Sequence, residues 1–293
     1  MNSSVGVVVV RYRGGEEVAR CLASLREHGG RRLQRTLLVD SGSGDGGEKP
    51  LAEAFPEVTV VSLDENRSFA HAANEGAAGI DAAYLLILNP DAELTSGCLD
   101  RLAGLLDRRP EVAGAVPLLM EPDGGLQYRW QLRHLPGAAR LALGLSGAPA
   151  FPKPPTEVTV VAQPAASCWL IRRSIWEALG GFDEEYAPAW WEDVDLCRRL
   201  QRGLQRGELP VRQGFVVVPE ATALHIGGSS VPAIGDEAFL TAYFTNLIRY
   251  VSRHHSRAAR PVITTLRLSL LARGVARPRR RSIYFRLARG IGR

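Results

Sequence analysis

Runs of apolar residues alternate with amphipathic segments through the first third of the chain. The first run, Val5–Val10, contains no polar side chain, which is typical of a parallel strand buried on both faces. The same alternation continues, and it predicts strands at Val5–Val10, Thr36–Val39, Val58–Leu63 and Tyr84–Leu88, with helices at Glu16–His28, Glu48–Phe55, Phe69–Asp81 and, from an N-cap at Ser96, up to Arg109. Strands and helices that alternate in this way indicate an α/β sheet with crossover connections.

The second half of the chain is less regular. The stretch Leu135–Pro155 is rich in Gly, Ala and Pro, which predicts an irregular excursion. Order returns after it, with strands predicted at Val158–Val161, Cys168–Ile171 and Phe215–Val218, and helices at Ser174–Leu179, Glu192–Arg202 and Phe239–Val251. The last of these helices is amphipathic, and we interpret the residues around and after it as a helical extension.

Charge is distributed unevenly along the 293 residues. The segment Ala238–Arg293 contains thirteen Arg and no Lys, Asp or Glu, so it carries +13. Because the whole chain carries +5, the remainder carries −8. A basic tail on an acidic body predicts an anionic partner, which could be a membrane surface, a lipid pyrophosphate or a nucleic acid. Within Arg273–Arg293 three apolar residues favour an anionic bilayer over a solvated or oligomer-forming helix: Ile283, Phe285 and Leu287.

The composition is that of a globular protein with one large domain and an appendage, since 45% of the residues are apolar and 23% are charged. The cysteines are far apart and lack metal-ligand spacing, so we interpret them as buried thiols in a reducing compartment. The first residues lack the features of a signal peptide, and no apolar run approaches the ~20 residues of a membrane span. We therefore expect a cytoplasmic protein whose membrane contact is peripheral, at the inner face of the cytoplasmic membrane.

Acidic residues follow two of the predicted strands. Asp40 and Asp91 lie where strands end, and ligands of open α/β sheets bind at that edge. Asp40 could accept a hydrogen bond from a ribose or a nucleobase, or it could cap the turn that follows. Asp91 and Glu93 could hold a divalent cation on a diphosphate, with a solvated acidic loop as the alternative.

A second acidic cluster opens the helix predicted from Glu192. Asp193 is the candidate general base, ahead of Glu192, and Asp195 projects from another side of the helix, where bonding to backbone or to Arg198 is expected. The preceding tryptophans have faces that suit a sugar or an acceptor. Farther along, His225 could bind metal or phosphate, although a lone histidine is also common in structural roles.

Several motifs in order resemble those of family 2 glycosyltransferases, most closely the bacterial rhamnosyltransferase-like members that build cell-wall and surface polysaccharides. They are Val39-Asp40-Ser41, Asn66-Arg67-Ser68-Phe69-Ala70, Leu88-Asn89-Pro90-Asp91, Gly180-Gly181-Phe182-Asp183, Glu192-Asp193-Val194-Asp195-Leu196 and His225-Ile226-Gly227-Gly228. The resemblance implies a GT-A fold, which is a Rossmann-like mixed sheet flanked by helices, over residues 1–230, with an Arg-rich helical extension over 231–293. It also implies inversion at the anomeric carbon, a nucleotide-sugar donor and Mg²⁺ or Mn²⁺.

The resemblance implies a role for each candidate residue. The catalytic pair would be Asp193 and Glu192, and the metal ligands Asp91, Glu93 and His225. The donor would be bound by Asp40, Arg67, Asn74, Asn89, Asp91 and Trp191. We expect transfer of L-rhamnose from dTDP-rhamnose to a hydroxyl of a glycan or lipid-linked acceptor, with no nucleic-acid partner.

The sequence departs from the family pattern beside the donor pocket, at Arg11-Tyr12-Arg13 and at Arg67-Ser68. Two other functions remain open at this point. A sugar-phosphate nucleotidyltransferase would also place a sugar phosphate and a metal on an α/β sheet. A non-enzymatic binder of nucleic acid or another anionic surface would explain the basic tail, although the acidic body and the lack of a binding motif count against it.

Overall fold

A computed structural model describes residues 3–227 and 235–290, and a nine-stranded mixed sheet lies at its centre. The strands of this sheet are β1 (Val5–Arg11), β2 (Leu33–Asp40), β3 (Val58–Ser62), β4 (Tyr84–Leu88), β5 (Ala92–Leu94), β6 (Val112–Met120), β8 (Thr159–Val161), β10 (Cys168–Arg172) and β11 (Gln213–His225). A separate antiparallel pair is formed by β7 (Leu132–Arg133) and β9 (Gln163–Pro164).

Helices cover both faces of the sheet and continue beyond it. They are α1 (Glu16–His28), α2 (Glu48–Ala54), α3 (Phe69–Ala78), α4 (Cys98–Arg108), α5 (Tyr128–Gln131), α6 (Ala138–Ala142), α7 (Arg173–Leu179), α8 (Glu192–Arg206), α9 (Asp236–His254), α10 (Ala259–Ala276) and α11 (Arg281–Gly290). The α/β class predicted from the alternating pattern is therefore observed, and the predicted helix Glu16–His28 has the expected bounds.

The strand order is β3-β2-β1-β4-β10-β6-β11-β5, and β8 also pairs with β11. Strands β1 to β4 are parallel, whereas β10 runs antiparallel to both of its neighbours. Because β2 and β4 lie on opposite sides of β1, the chain reverses its direction of winding there. Ligand sites of open sheets lie at the carboxyl ends of the strands that flank such a switch point.

A central strand, β6, has no counterpart in the sequence analysis. It contains Gly114 and Pro117, residues that weaken a strand pattern because proline cannot donate to the ladder. In the structure the neighbouring strand β11 accommodates this proline with an irregularity. Pro117 is opposite Val218 while the next residue of β6 is opposite Thr222, so β11 bulges at the proline.

Two local predictions were wrong or incomplete. Ser96 does not cap α4, because Gly97 occupies the N-cap position with a φ of 72°, which glycine adopts without strain. The strand predicted at Phe215–Val218 is the middle of a longer one, β11, which ends at His225. The histidine is therefore fixed by strand pairing, opposite Ala92 of β5.

The sheet has a hydrophobic cluster on each face, and a third cluster joins the C-terminal helices to the body of the protein. In this third cluster, residues of α9 to α11 pack against body residues that include Tyr186, Trp191 and Val194. The boundary predicted between residues 230 and 231 lies outside the described residues. The C-terminal extension is helical as predicted, and it shares a core with the sheet domain.

The tail differs in two ways from the prediction. Several of its arginines have acidic partners: Arg253 pairs with Asp183 and Glu185 of the body, and Arg280 lies 2.6 Å from Asp236. The apolar residues singled out in the sequence are half-buried, with Ile283 and Leu287 against the third cluster. Among the described residues, no helix is both long and apolar enough to cross a bilayer.

Candidate active site

The carboxyl ends of β1, β2 and β4 bring three charged residues to the switch point of the sheet: Arg11, Asp40 and Asp91. All three are buried, with at most 5% of their surface exposed. The sequence pattern located the two carboxylates correctly at strand ends.

Asp40 is engaged on both oxygens. One oxygen accepts the backbone N–H of Ser43 at 2.8 Å, which is the turn-capping role considered for it. The other pairs with the guanidinium of Arg11, which also contacts both oxygens of Asp45 at 2.7 and 2.8 Å. Arg11, one of the departures from the family pattern, therefore neutralises the charge of Asp40 within the protein.

Within the described residues, one set of three acidic side chains places ligand atoms within 4.8 Å of one another: Asp40, Asp45 and Glu48. This group could hold a cation by spacing alone. Because the Arg11 guanidinium already pairs with Asp40 and Asp45, a cation there would compete with a buried arginine.

Asp91 and His225 form a second candidate, with 3.5 Å between Oδ1 of Asp91 and Nε2 of His225. Gln127 fixes the ring: its amide nitrogen donates to the His225 carbonyl, and its amide oxygen lies 2.8 Å from Nδ1. Nδ1 therefore carries the proton, and the Nε2 lone pair is on the side of Asp91. Burial lowers the pKa of His225, which keeps the imidazole neutral, as a metal ligand must be.

Carboxylate oxygen and imidazole nitrogen suit Mn²⁺ and related divalent ions, so the pair fits the metal implied by the resemblance. Glu93 does not join this pair in the part of the chain that the structure describes. Its carboxylate lies 3.0 Å from Nε of Arg20, which satisfies its charge elsewhere. Of the three residues expected to hold the metal, the structure brings Asp91 and His225 together and pairs Glu93 with Arg20.

Glu192 and Asp193 begin α8 as a coupled acidic pair. Burial, together with the charge of the neighbouring Asp193 carboxylate, raises the pKa of Glu192 to about 8. Burial raises the pKa of Asp193 as well, but Arg133 at 3.6 Å opposes this, and Gln163 donates to the carboxylate at 3.0 Å. Since two adjacent buried carboxylates do not ionise together readily, Asp193 carries the charge and Glu192 keeps the proton near neutral pH.

Asp195 has the structural role predicted for it, but with another arginine. Its carboxylate accepts from Arg199 at 2.7 Å and from Tyr186 at 3.1 Å, and lies 2.6 Å from Nε2 of His254. Arg198 is directed to Tyr250 instead. Burial alone would raise the pKa of Asp195, but the bonds from His254 and Arg199 lower it. The contact with His254 also anchors α8 to α9.

The turn before α8 has an unusual backbone. Trp190 and Trp191 have φ values of 72° and 81°, in the left-handed region that bulky residues rarely adopt. Helix α9 holds this turn, because the side-chain amide of Asn246 donates toward three carbonyl oxygens, those of Ala187, Ala189 and Trp190, at 2.9 to 3.3 Å. Asn246 is completely buried.

Trp191 is 3% exposed and packs against Tyr243 and Tyr250 of α9, with ring centroids 5.5 and 5.2 Å apart. A sugar contact was predicted for Trp191, but in this structure α9 covers the ring. Both tryptophans belong to the interface with the C-terminal helices, as Trp190 packs on Phe239.

Three other predicted donor ligands have partners within the protein. Asn74 donates to the Phe182 carbonyl at 2.9 Å and to Glu184 at 3.0 Å, and its oxygen accepts the Phe182 N–H. It therefore ties α3 to the loop before α8. Arg67 is more than half exposed and lies 3.7 Å from Glu184. Asn89 lies 3.4 Å from the Ser167 hydroxyl.

Two residues that the sequence pattern does not indicate connect the candidate metal pair to the candidate base. Trp130 of α5 stacks on His225, with ring centroids 5.4 Å apart, and Arg133 of β7 lies 6.0 Å from the Trp130 ring. Arg133 in turn lies 3.6 Å from Asp193. Both belong to elements of four residues or fewer, which leave no hydrophobic periodicity to detect.

The comparison that decides the family is a match of residues 6–180, more than half of the chain, to the family model described as glycosyl transferase family 2. The chain belongs to glycosyltransferase family 2. This membership supports the glycosyltransferase function over the nucleotidyltransferase and the non-enzymatic binder.

Two curated proteins are similar to this chain over different lengths. The chain is 29% identical over 295 residues to the N-acetylglucosaminyl-diphospho-decaprenol L-rhamnosyltransferase of Mycobacterium tuberculosis, covering 93% of this chain and 92% of the relative. It is also 28% identical over 177 residues to an O-antigen biosynthesis protein of Myxococcus xanthus, which covers 56% of this chain and 13% of that longer protein.

Among solved structures, the crystal structure of GalNAc-T7 with UDP, GalNAc and Mn²⁺ matches with a TM-score of 0.60 and 16% sequence identity. The match covers 87% of this chain, which spans about half (52%) of that longer chain. At this identity the likeness concerns the fold alone. The predicted GT-A fold of this family 2 glycosyltransferase is therefore confirmed.

The hydrogen bonds of Asn246 to the turn before α8, called here the Asn246 clamp, lead to a prediction. In Asn246→Leu three carbonyls lose their donor, so the strained turn relaxes and the acids at the start of α8 shift. We expect turnover of the glycosyltransferase to fall by roughly tenfold with the Michaelis constant for the donor unchanged, alongside a stability loss of about 1–3 kcal/mol. Leu247→Ala, on the same helix and in the same cluster, is the control: it loses packing and stability but keeps turnover. Equal turnover losses in both variants would contradict the clamp.

Proposed function

We propose that the protein is an inverting glycosyltransferase that moves L-rhamnose from dTDP-rhamnose to a hydroxyl group of a lipid-linked glycan acceptor. The observation that carries the proposal is the placement of a candidate base, Asp193, and a candidate metal pair, Asp91 and His225, at the two ends of one chain of contacts. Inverting transfer needs these two functions on opposite sides of the anomeric carbon.

The proposed step is a single displacement. The acceptor oxygen bonds to the anomeric carbon as the bond from that carbon to the phosphate oxygen breaks, and the hydroxyl proton passes to Asp193. Arg133 and Gln163 hold the Asp193 carboxylate ionised and oriented to receive it. Asp91 and His225 would hold the divalent ion, which would supply positive charge to the departing diphosphate.

The identity of sugar and acceptor is supported by the relative that covers nearly the whole chain. That mycobacterial protein is an L-rhamnosyltransferase acting on an N-acetylglucosaminyl-diphospho-decaprenol, as its name states. Conversion of one pyrophosphoryl-lipid sugar into a longer one is the reaction class we infer for this chain, in cell-wall or surface polysaccharide synthesis.

The charge assignment within the acidic pair predicts how rate depends on pH. Because a general base must be deprotonated, the transfer rate rises with pH as Asp193 loses its proton. A second change in the transfer rate near pH 8 reports the ionisation of Glu192. Asp193→Asn should lose about 10²–10⁴ in turnover at every pH while donor affinity stays. Glu192→Gln, which mimics the protonated form, should keep most activity at pH 7 and lack the change near pH 8.

Pre-steady-state rates of both variants between pH 5 and 9 make this measurement. If Glu192→Gln is inactive and Asp193→Asn is active, the general base is Glu192 and not Asp193.

The metal assignment is tested by calorimetric titration of nucleoside diphosphates with and without Mn²⁺. We expect Mn²⁺-dependent binding of dTDP that is tighter than that of UDP or GDP, and a loss of roughly tenfold or more in both Asp91→Asn and His225→Gln, because each removes one ligand. Glu93→Gln is the matched control, since Arg20 already engages that carboxylate, and it should bind like the wild type. Unchanged affinity in Asp91→Asn would show that the ion is bound elsewhere or is not used.

A lipid-linked acceptor requires the enzyme to work at a membrane surface, and one face of α10 suits this. Leu268, Leu271 and Val275 are 63%, 41% and 70% exposed and lie on one side of the helix, opposite the buried residues of the third cluster. Beside them Arg267 and Arg289 line a cavity of about 470 Å³ between α10 and α11. Exposed apolar side chains bordered by arginines fit an anionic bilayer, so we infer a cytoplasmic, peripheral enzyme bound through this face.

Cosedimentation with vesicles of phosphatidylglycerol and phosphatidylcholine checks the membrane face. We expect the wild type to bind at physiological salt, and a variant with serine at Leu268, Leu271 and Val275 to bind at least fivefold less, because its apolar contact is gone. Val160→Ser removes a similarly exposed apolar side chain from the sheet domain and should bind normally. Equal binding of all forms, or loss of a dimer in the triple variant without a change in vesicle binding, would contradict the membrane face.

A further inference from the structure

Trp130 is half exposed although it lies among charged and buried groups, with 50% of its surface open to solvent. One face of its ring is covered by His225, whose ring is tilted from it by only 19°. An indole left this open beside a candidate active site has apolar area that water solvates poorly, and a ligand can cover it.

The position of Trp130 between the candidate metal pair and the candidate base indicates which part of a ligand could cover it. On one side His225 connects the ring to Asp91, and on the other Arg133 connects it to Asp193. A molecule that extends from a diphosphate at Asp91 and His225 to a hydroxyl at Asp193 therefore has its sugar beside Trp130. Asp40, where the family resemblance implies the nucleobase, lies at another strand end of the sheet.

We propose that Trp130 is the aromatic platform for a pyranose ring at the point of transfer. A pyranose presents C–H groups on one face, and these are attracted to the negative face of an indole ring. A 6-deoxy sugar adds a methyl group, which increases the apolar area that the ring covers. This inference rests on the proposed function, because it needs a sugar between the metal pair and the base.

Hydrogen bonds that fix the position of α5 support such a role. Gln127 of the same segment holds His225, and Gln131 of α5 bonds the backbone of β6 at Leu119 and Pro117. Helix α5 is therefore attached to the central sheet at both ends, and this attachment positions Trp130 before a ligand arrives. A pre-positioned ring loses little conformational entropy when a sugar stacks on it.

The test separates the sugar from the rest of the donor. Affinities of Trp130→Leu and Trp130→Phe are measured by calorimetry for dTDP and for dTDP-rhamnose, each with Mn²⁺, and the Michaelis constant is measured for a lipid-linked N-acetylglucosamine acceptor. We expect dTDP to bind as in the wild type. If the platform holds the donor sugar, the extra affinity of dTDP-rhamnose over dTDP falls roughly tenfold in Trp130→Leu and is largely kept in Trp130→Phe.

If instead the platform holds the acceptor sugar, donor affinities stay and the Michaelis constant for the acceptor rises by a similar factor. Leu126→Ala, which removes nearby exposed apolar area of a non-aromatic residue, should change neither quantity. Equal losses for dTDP and dTDP-rhamnose would mean that Trp130 only supports His225, and unchanged values in every arm would also overturn the platform. Failure of the wild type to bind dTDP would instead count against the proposed donor.

Discussion

The site depends on a backbone turn that is unfavourable by itself. Two consecutive tryptophans in the left-handed region cost on the order of 1–2 kcal/mol each, and nothing in the local sequence repays this. The compensation comes from α9, through the Asn246 amide and the aromatic packing of both tryptophans. The orientation of Glu192 and Asp193 at the start of α8 is therefore determined by a helix that follows them by about fifty residues in the sequence.

Electrostatics divides the acidic residues into two groups. Asp40 and Asp195 have arginine partners and act as fixed anions within the protein. Glu192 is buried and Asp193 nearly so, and Arg133 lies beside Asp193, so Asp193 carries the charge while Glu192 keeps its proton. The paired carboxylates of Asp40 and Asp195 stabilise the structure. The Glu192 and Asp193 pair instead provides a carboxylate that can accept a proton near neutral pH.

The parts of the fold and the site that the sequence predicts are those held by residues close together in the sequence. Strands β1, β2 and β4 were evident because their segments buried on both faces are mostly apolar. The carboxyl ends of β2 and β4 located Asp40 and Asp91. Strand β6 was missed because Gly114 and Pro117 interrupt its pattern and are tolerated only through a bulge in β11. The burial of Trp191 could not be predicted because the helix that covers it is distant in sequence. Asp195 was expected to bond Arg198, but it pairs with Arg199, which is one helical turn away. Trp130 and Arg133 lie in elements too short to leave a pattern.

The shared core of α9 and the turn before α8 has a consequence for how the protein is made. During synthesis the chain up to β11 emerges first and can pair its strands, but the tryptophan turn then lacks the helix that holds it. Proteins that lose the last fifty residues through an early stop codon or proteolysis would keep every residue of the family motifs and still lack an ordered acidic pair. The order of translation thus delays the assembly of a complete site until the C-terminal helices have left the ribosome.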